Sequence, residues 1–351
     1  MKNNFNIKDI IRPSIKALKP YSSARDEFHG VPANMVFLDA NENPFENGVN
    51  RYPDPHQNKL KAVLSEIKGV PSQNILLGNG SDEVLDLIFR AFCEPNQDNI
   101  ITLPPTYGMY EVLANLNAVA VKKVNLDSDF HPNVEAILSI ADAQSKLLFI
   151  CSPNNPSGNS FTSEAVKTLI ENFKGIVVID EAYIDFSSEE SWLSKLSQYS
   201  NLIVTQTLSK AYGMAGIRLG ICYASEAIVS VLNSIKPPYN INELTQQKAV
   251  ELLSNKALVS HQIAEILQQR NWLVSALKQI NFISKIYPTD ANFVLVKVDD
   301  ANRRYTQLIE NGVVIRNRTT QPNCENTLRL TVGTTNENEK LIKVLLSISK
   351  P

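Results

Sequence analysis

Between about Leu76 and Ala224 the chain alternates short apolar, β-branched runs with stretches whose apolar residues recur at helical spacing, and few architectures satisfy that rhythm. Runs such as Leu147-Leu148-Phe149-Ile150-Cys151 and Val177-Val178-Ile179 show no polar alternation. Strands of that kind are buried on both faces, as in a parallel sheet covered by helices on each side. The expectation is an α/β fold with a mainly parallel, doubly wound sheet, whose ligands bind at the carboxyl ends of the strands. At 351 residues the chain exceeds one ordinary domain, so a smaller α/β C-terminal domain is expected to follow. The segment Asn242 to Gln279 has helical composition and leads out of the large domain. Strand candidates follow at Asn292 to Val296, Val313 to Ile315 and Leu328 to Val332, with a closing amphipathic helix near Glu337 to Ile348. The expected division is residues 1–50 as an N-terminal segment packing with the small domain, 51–270 as the large domain, and 271–351 as the small one.

Three polar clusters sit where such a sheet would place a site. Gly78-Asn79-Gly80-Ser81-Asp82-Glu83 separates the strand-like Ile75-Leu76-Leu77 from a helix with apolar residues at Val84, Leu85, Ile88, Phe89 and Phe92. A glycine turn opening a helix exposes N–H groups toward an anion, and the helix dipole favours that charge. Neither dinucleotide nor nucleoside-triphosphate glycine spacing is present. Ser152-Pro153-Asn154-Asn155-Pro156-Ser157-Gly158 follows one apolar run and fixes the amide of Asn155 between prolines; Asp180-Glu181-Ala182-Tyr183 follows another. Each cluster alone is also ordinary turn chemistry.

The run Thr207-Leu208-Ser209-Lys210-Ala211-Tyr212-Gly213-Met214-Ala215-Gly216-Ile217-Arg218-Leu219-Gly220 joins them into one chemistry. A lysine can condense with an aldehyde, and an arginine eight residues on offers a planar fork to a phosphate on the same molecule. The cofactor that has both groups is pyridoxal 5'-phosphate. Lys210 is then the covalent anchor, Asp180 the acid that keeps the pyridine nitrogen protonated, and Asn155 and Tyr183 the partners of the ring's 3-hydroxyl. The phosphate falls to the turn at Gly80.

In the order GNGSDE, SPNNPSG, VVIDEAY and TLSKAYGMAGIRLG, these pieces resemble the fold-type I pyridoxal-phosphate-dependent aminotransferases over nearly the whole chain. Within that superfamily the chain is most similar to the histidinol-phosphate aminotransferase family. That likeness rests on Lys19-Pro20-Tyr21, Leu38-Asp39-Ala40-Asn41-Glu42-Asn43-Pro44, Asn50-Arg51-Tyr52-Pro53-Asp54, Val314-Ile315-Arg316 and Thr327-Leu328-Arg329-Leu330-Thr331-Val332-Gly333-Thr334. The resemblance implies a catalytic set of Lys210, Asp180 and Tyr183. It implies that Gly80, Ser81, Asp82, Thr207, Ser209 and Arg218 surround the cofactor phosphate and that Tyr107 stacks on its ring. Tyr52 would reach the partner subunit's cofactor in a homodimer, and Tyr21, Asn41, Arg316 and Arg329 would bind substrate. The implied reaction is ping-pong transfer of the amino group of L-histidinol phosphate to 2-oxoglutarate, giving imidazole-acetol phosphate and L-glutamate in histidine biosynthesis. A threonine-phosphate decarboxylase would keep the same cofactor residues, and activity on aromatic amino acids would fit the same frame.

A formal charge of −2 and a pI near 6.2 argue against nucleic acid or an anionic membrane as partner. No apolar run reaches transmembrane length, and the opening residues lack a signal-peptide pattern, so the cytoplasm is the expected compartment. Cys93, Cys151, Cys222 and Cys324 are dispersed and read as buried thiols. His29, His56, His131 and His261 are equally scattered, so no metal site is expected, and His56 reads as a loop residue.

Overall fold

The computed structural model describes residues 5–21 and 35–349. The chain enters through a short helix, α1 (Pro13–Lys16), and then α2 (Asn58–Lys68). Strand and helix then alternate as expected as far as β5, after which only short 3₁₀ helices separate the strands: β1 (Ile75–Asn79), α3 (Gly80–Phe92), β2 (Asn99–Thr102), α4 (Met109–Leu116), β3 (Ala120–Lys123), α5 (Val134–Ile140), β4 (Ser145–Cys151), α6 (Ser163–Asn172), β5 (Ile176–Asp180), β6 (Leu202–Thr207) and β7 (Leu219–Ala224). The seven strands form one sheet in the order β1-β7-β6-β5-β4-β2-β3, in which only β7 runs against its neighbours. All residues of β5, β6 and β7 are buried, because helices cover both faces.

One face carries a core built from Leu60, Leu148, Ile170, Val204 and Ile221, under α2 and α6; the other packs Val84, Ile88, Phe89, Leu113 and Phe149 under α3 and α4. Phe89, Phe149 and Tyr110 stack in sequence, with ring centroids 5.3 and 4.7 Å apart, so an aromatic column runs from the core to the carboxyl end of β4.

Beyond the sheet come α7 (Glu226–Ile235), α8 (Glu243–Leu253) and the 22-residue α9 (Lys256–Leu277). A second sheet follows, formed by β8 (Ile283–Ile286), β9 (Phe293–Val298), then α10 (Ala301–Glu310), β10 (Arg316–Asn317), β11 (Thr327–Thr331) and the closing α11 (Thr335–Ser347). Its order is β10-β11-β9-β8, antiparallel throughout. A capping box between Thr334 and Glu337 starts α11. The sheet has its own core, including Leu273, Leu277, Val294, Val296, Leu308 and Leu341. α9 serves two cores: Ile263, Ile266 and Leu267 pack toward Tyr183 and Phe293, while Ile266, Leu273 and Leu277 pack on the second sheet. Residue 270, where the sequence suggested a boundary, lies inside this helix. The expected strand at Val313 to Ile315 begins at Arg316 instead, because Gly312, at φ 72°, and the bond from Val313 N to Leu308 O spend those residues closing α10.

The N-terminal segment differs from expectation. Phe5, Ile7, Ile10 and Ile11 lie against the α3 and α4 face of the large sheet, and Arg12 donates to Ala91 O and pairs with Glu94 at 3.3 Å. The physical reason is supply: that face leaves apolar surface open, whereas α9, α10 and α11 already cover the small sheet. His29 lies outside the described residues, and all four cysteines are free and buried.

At Gly220 of β7 an added Cβ would lie 2.3 Å from the backbone of Gly80 and Ser81 at the start of α3, so there is no room for one. Gly220→Ala is expected to lower stability by about 1–3 kcal/mol, the usual range for overpacking. A denaturation midpoint that stayed at the wild-type value would show that α3 is not seated on β7 in this way.

Candidate active site

The carboxyl ends of three neighbouring parallel strands supply the site. Cys151 of β4 is in register with Asp180 of β5, and Asp180 with Thr205 of β6, so the turns after these strands emerge side by side. They are the Asn155 loop, the Asp180–Tyr183 cluster and the run that carries Lys210.

Asp180 is 4% exposed. Its Oδ2 accepts from the Tyr110 hydroxyl at 2.7 Å, and its Oδ1 from Ala182 N at 3.1 Å. Burial pushes the carboxyl above its usual range; the two donors and the charge of Lys210 work in the opposite direction. Lys210 stands 5.9 Å from the ring centre of Tyr183, and its ammonium is held below the ordinary lysine value by burial first and then by Arg329. Tyr183 is wedged edge-on against Phe293 at 5.1 Å, with Ala211 and Ala291 around it, and burial raises its phenol.

A second corner forms where β1 meets α3. Gly80 has φ +76°, and a Cβ there would lie 2.6 Å from Arg218 Nη2, so the guanidinium occupies the space a side chain would need. Arg218 itself is left-handed at φ 56°, and its carbonyl accepts from Gly80 N. Ser209 N donates to Thr207 Oγ1 at 3.1 Å, which in turn donates to Leu219 O. Asp82, one turn into α3, accepts from the Tyr107 hydroxyl at 3.0 Å. Together the helix N-terminus, Arg218 and the Thr207-Ser209 turn form a cradle for an anion.

The third corner comes from the small sheet. Arg316 and Arg329 are direct cross-strand partners on β10 and β11. Arg329 Nη1 donates to Asn155 Oδ1, tying the small sheet to the loop after β4, and its guanidinium lies 5.1 Å from the Phe293 ring centre. Burial and the neighbouring Arg318 push Arg329 down to about 10. Among the described residues neither Arg316 nor Arg329 has an ion pair, and Arg329 Nε is buried with no partner.

The chain brings Lys210, Asp180, Tyr183, Asn155, Tyr107, Gly80, Ser81, Asp82, Thr207, Ser209, Arg218, Arg316 and Arg329 to one end of the sheet. Tyr52, Asn41 and Tyr21 come from the chain before α2, and Tyr239, against which Tyr52 lies, precedes Asn240, whose carbonyl accepts from the Asn79 amide at the start of α3. Tyr52 is 52% exposed and stacks on Tyr239 at 4.5 Å, and with Asn41 it lines a separate cavity that reaches Asn242. Tyr21 is exposed. Two residues were missed from sequence. Tyr110 carried a signal, falling three residues after Tyr107, and Arg318 another, two residues after Arg316. No helix is long and apolar enough to cross a membrane, and no cluster suited to a metal is present, in each case among the described residues.

Comparison with known proteins agrees with this geometry. The family described as "Aminotransferase class I and II" matches residues 35–345. The histidinol-phosphate aminotransferase of Flavobacterium johnsoniae is 64% identical over 344 residues, covering 98% of this chain and 99% of that protein. The crystal structure of the histidinol-phosphate aminotransferase from Clostridium acetobutylicum superposes with a TM-score of 0.79 at 25% identity, covering 86% of this chain and 91% of that one. That from Sinorhizobium meliloti, solved in complex with pyridoxal 5'-phosphate, gives 0.78 at 22% identity over 85% and 83%. The chain therefore belongs to the class I and II aminotransferases, and within them to the histidinol-phosphate aminotransferase family.

Proposed function

We propose that this protein transfers the amino group of L-histidinol phosphate to 2-oxoglutarate, giving imidazole-acetol phosphate and L-glutamate in histidine biosynthesis, with pyridoxal 5'-phosphate as cofactor. The observation that carries the substrate assignment is the pair Arg316 and Arg329, facing one another on β10 and β11 without an acidic partner among the described residues, beside the Lys210 and Asp180 site. Two unneutralised guanidiniums beside a phenol suit a phosphate, and the same pocket accepts the distal carboxylate of 2-oxoglutarate.

The residues fit the cofactor. Arg218 fills the space above Gly80, where a Cβ cannot go, so its guanidinium lies beside the N-terminus of α3, where a phosphate would bind. Lys210 would hold the aldehyde carbon, Asp180 would pair with the ring nitrogen, Asn155 and Tyr183 would take the 3-hydroxyl oxygen, and Tyr107 would cover the ring. When bound, the cofactor supplies the electron sink that stabilises negative charge on the substrate carbon bearing the nitrogen. Lys210 Nζ takes the proton from that carbon, and burial and the charge of Arg329 hold its basicity below that of an ordinary lysine. Asp180, fixed by Tyr110 and Ala182, holds the ring nitrogen's proton in place. Tyr52, exposed on its own subunit, reaches the partner's cofactor phosphate in a homodimer, and the protein works in the cytoplasm. Residues 51–270 act as the cofactor domain and 271–351 as the domain that brings the arginines to the substrate, with α9 common to both.

Lys210→Ala should abolish borohydride-trappable pyridoxal phosphate and multiple turnover, read by mass spectrometry of the labelled peptide; label retained on another lysine would reassign the anchor. Asp180→Asn should still bind cofactor but slow single-turnover proton removal by roughly a hundredfold or more, the scale of acid–base contributions. Tyr110→Phe removes one hydrogen bond to the same carboxyl and should cost about five- to tenfold, for a bond worth roughly 1–1.5 kcal/mol; a wild-type rate in Tyr110→Phe would separate Tyr110 from the function of Asp180. Arg316→Ala and Arg329→Ala should each lower kcat/KM for histidinol phosphate by about tenfold to a few hundredfold, for charge-assisted bonds of roughly 1.5–3 kcal/mol, with much smaller losses for histidinol. Parallel losses for the alcohol and its ester would make these arginines structural and remove the substrate assignment.

A further inference from the structure

We infer that Arg318 is the third guanidinium of the substrate-anion pocket and sets its preference for a phosphate over a carboxylate. The inference rests on the functional reading above and extends it to a residue outside the pair already considered.

The register places it there. Arg316 and Arg329 are cross-strand partners, and the ladder continues past β10 through the bond from Arg318 N to Thr327 O at 2.9 Å. Side chains two residues apart on a strand share a face, so Arg316 and Arg318 stand on the side that also carries Arg329. Like charges directly opposite on a sheet destabilise it. Three of them on one face of a small antiparallel sheet is an arrangement that the fold does not require.

Nothing in the described chain neutralises the group. None of the three arginines has an ion pair among the described residues. Arg318 is half-buried and its Nε is buried with no partner, as is that of Arg329. A desolvated donor with no acceptor carries a penalty, which a bound anion removes. The segment after Arg318 is held in place from both domains. Gln321 N donates to Arg318 O at 3.0 Å, and the Asn323 amide donates to Leu126 O of the large domain at 2.8 Å. Thr319 Oγ1 and Gln321 Oε1 are also buried without partners, and Gln321 shares a cavity of about 290 Å³ with Tyr107. This turn therefore meets the same end of the large sheet as the cofactor residues.

Charge and shape decide the selectivity. A phosphate monoester carries about −1.5 to −2 near neutral pH and presents three terminal oxygens. A carboxylate carries −1 and presents two. Two guanidiniums saturate a carboxylate; a third finds an oxygen to bind only on a phosphate. With three arginines fixed, about one unit of positive charge remains uncompensated by a phosphate dianion and two by a single carboxylate, so the third arginine favours the phosphate-bearing substrate.

The test is a set of half-reactions on the holoenzyme, comparing Arg318→Gln and Arg318→Lys with wild type. The readouts are KM and kcat for histidinol phosphate, histidinol and 2-oxoglutarate. For Arg318→Gln the expected result is a rise in KM for histidinol phosphate of about ten- to a hundredfold. Its kcat, and both parameters for histidinol and 2-oxoglutarate, should change less than about threefold, and Arg318→Lys should recover part of the loss. An unchanged KM for the ester, or equal losses for ester, alcohol and keto acid, would overturn the inference. Should Arg318→Gln fail to fold, Arg318→Lys carries the test, and a ratio of ester to keto-acid KM equal to wild type would overturn it. Failure here is distinguishable from failure of the functional reading: a wild-type enzyme that does not prefer histidinol phosphate to histidinol sinks that reading, whereas sensitivity to Arg329→Ala without sensitivity to Arg318→Gln sinks only this one.

Discussion

The constraint on which the rest depends is a carboxylate buried at the end of an apolar strand. An ionised acid taken out of water costs several kcal/mol unless donors and an opposite charge replace its hydration. Asp180 receives a hydroxyl from Tyr110 and a backbone N–H from Ala182, with Lys210 nearby. Tyr110 can deliver its hydroxyl there only because its ring is stacked on Phe149, in the core between the sheet and α4. The covered parallel sheet thus keeps water from Asp180, and out of water the charge of a single carboxylate acts strongly on whatever it faces.

The two sheets divide the electrostatic labour. The large one presents N–H groups, Arg218 and an acid around a fixed point, and the small one presents guanidiniums. In a chain with a formal charge of −2, positive charge gathers on the small sheet because Arg316, Arg318 and Arg329 stand together without an ion pair among the described residues. The bond from Arg329 to Asn155 joins these two parts directly, so a guanidinium of the small sheet also steadies the loop after β4.

Much of this was legible in the sequence, and for a common reason. The glycine turn before α3, the Asn155 loop, Asp180 and Lys210 are each attached to a strand or helix whose apolar pattern is unmistakable, so locating the element located the residue. What was missed depended on partners distant in sequence. Tyr110 looks like any core aromatic until the 70-residue separation from Asp180 is closed by the sheet. The two-residue strand β10 is too short to show periodicity, and its position follows from how α10 ends and from pairing with β11. The N-terminal residues were misassigned because an isolated apolar segment packs wherever surface is open, a property of the finished fold.

α9 turns from one core to another without a break. Its 22 residues span about 33 Å, at 1.5 Å of rise each, and present Ile263 and Leu267 to the Tyr183 cluster and Leu273 and Leu277 to the small sheet. Such a helix behaves as a geared shaft, in which the angle between its two apolar faces is fixed by residue count. One inserted residue would turn the downstream face by about 100° and swing the arginine-bearing sheet away from the site, while seven would nearly restore the phase. The number of residues in α9 therefore sets how the arginine-bearing sheet faces the large one, and chimaeras between relatives have to be cut at matching helical phase.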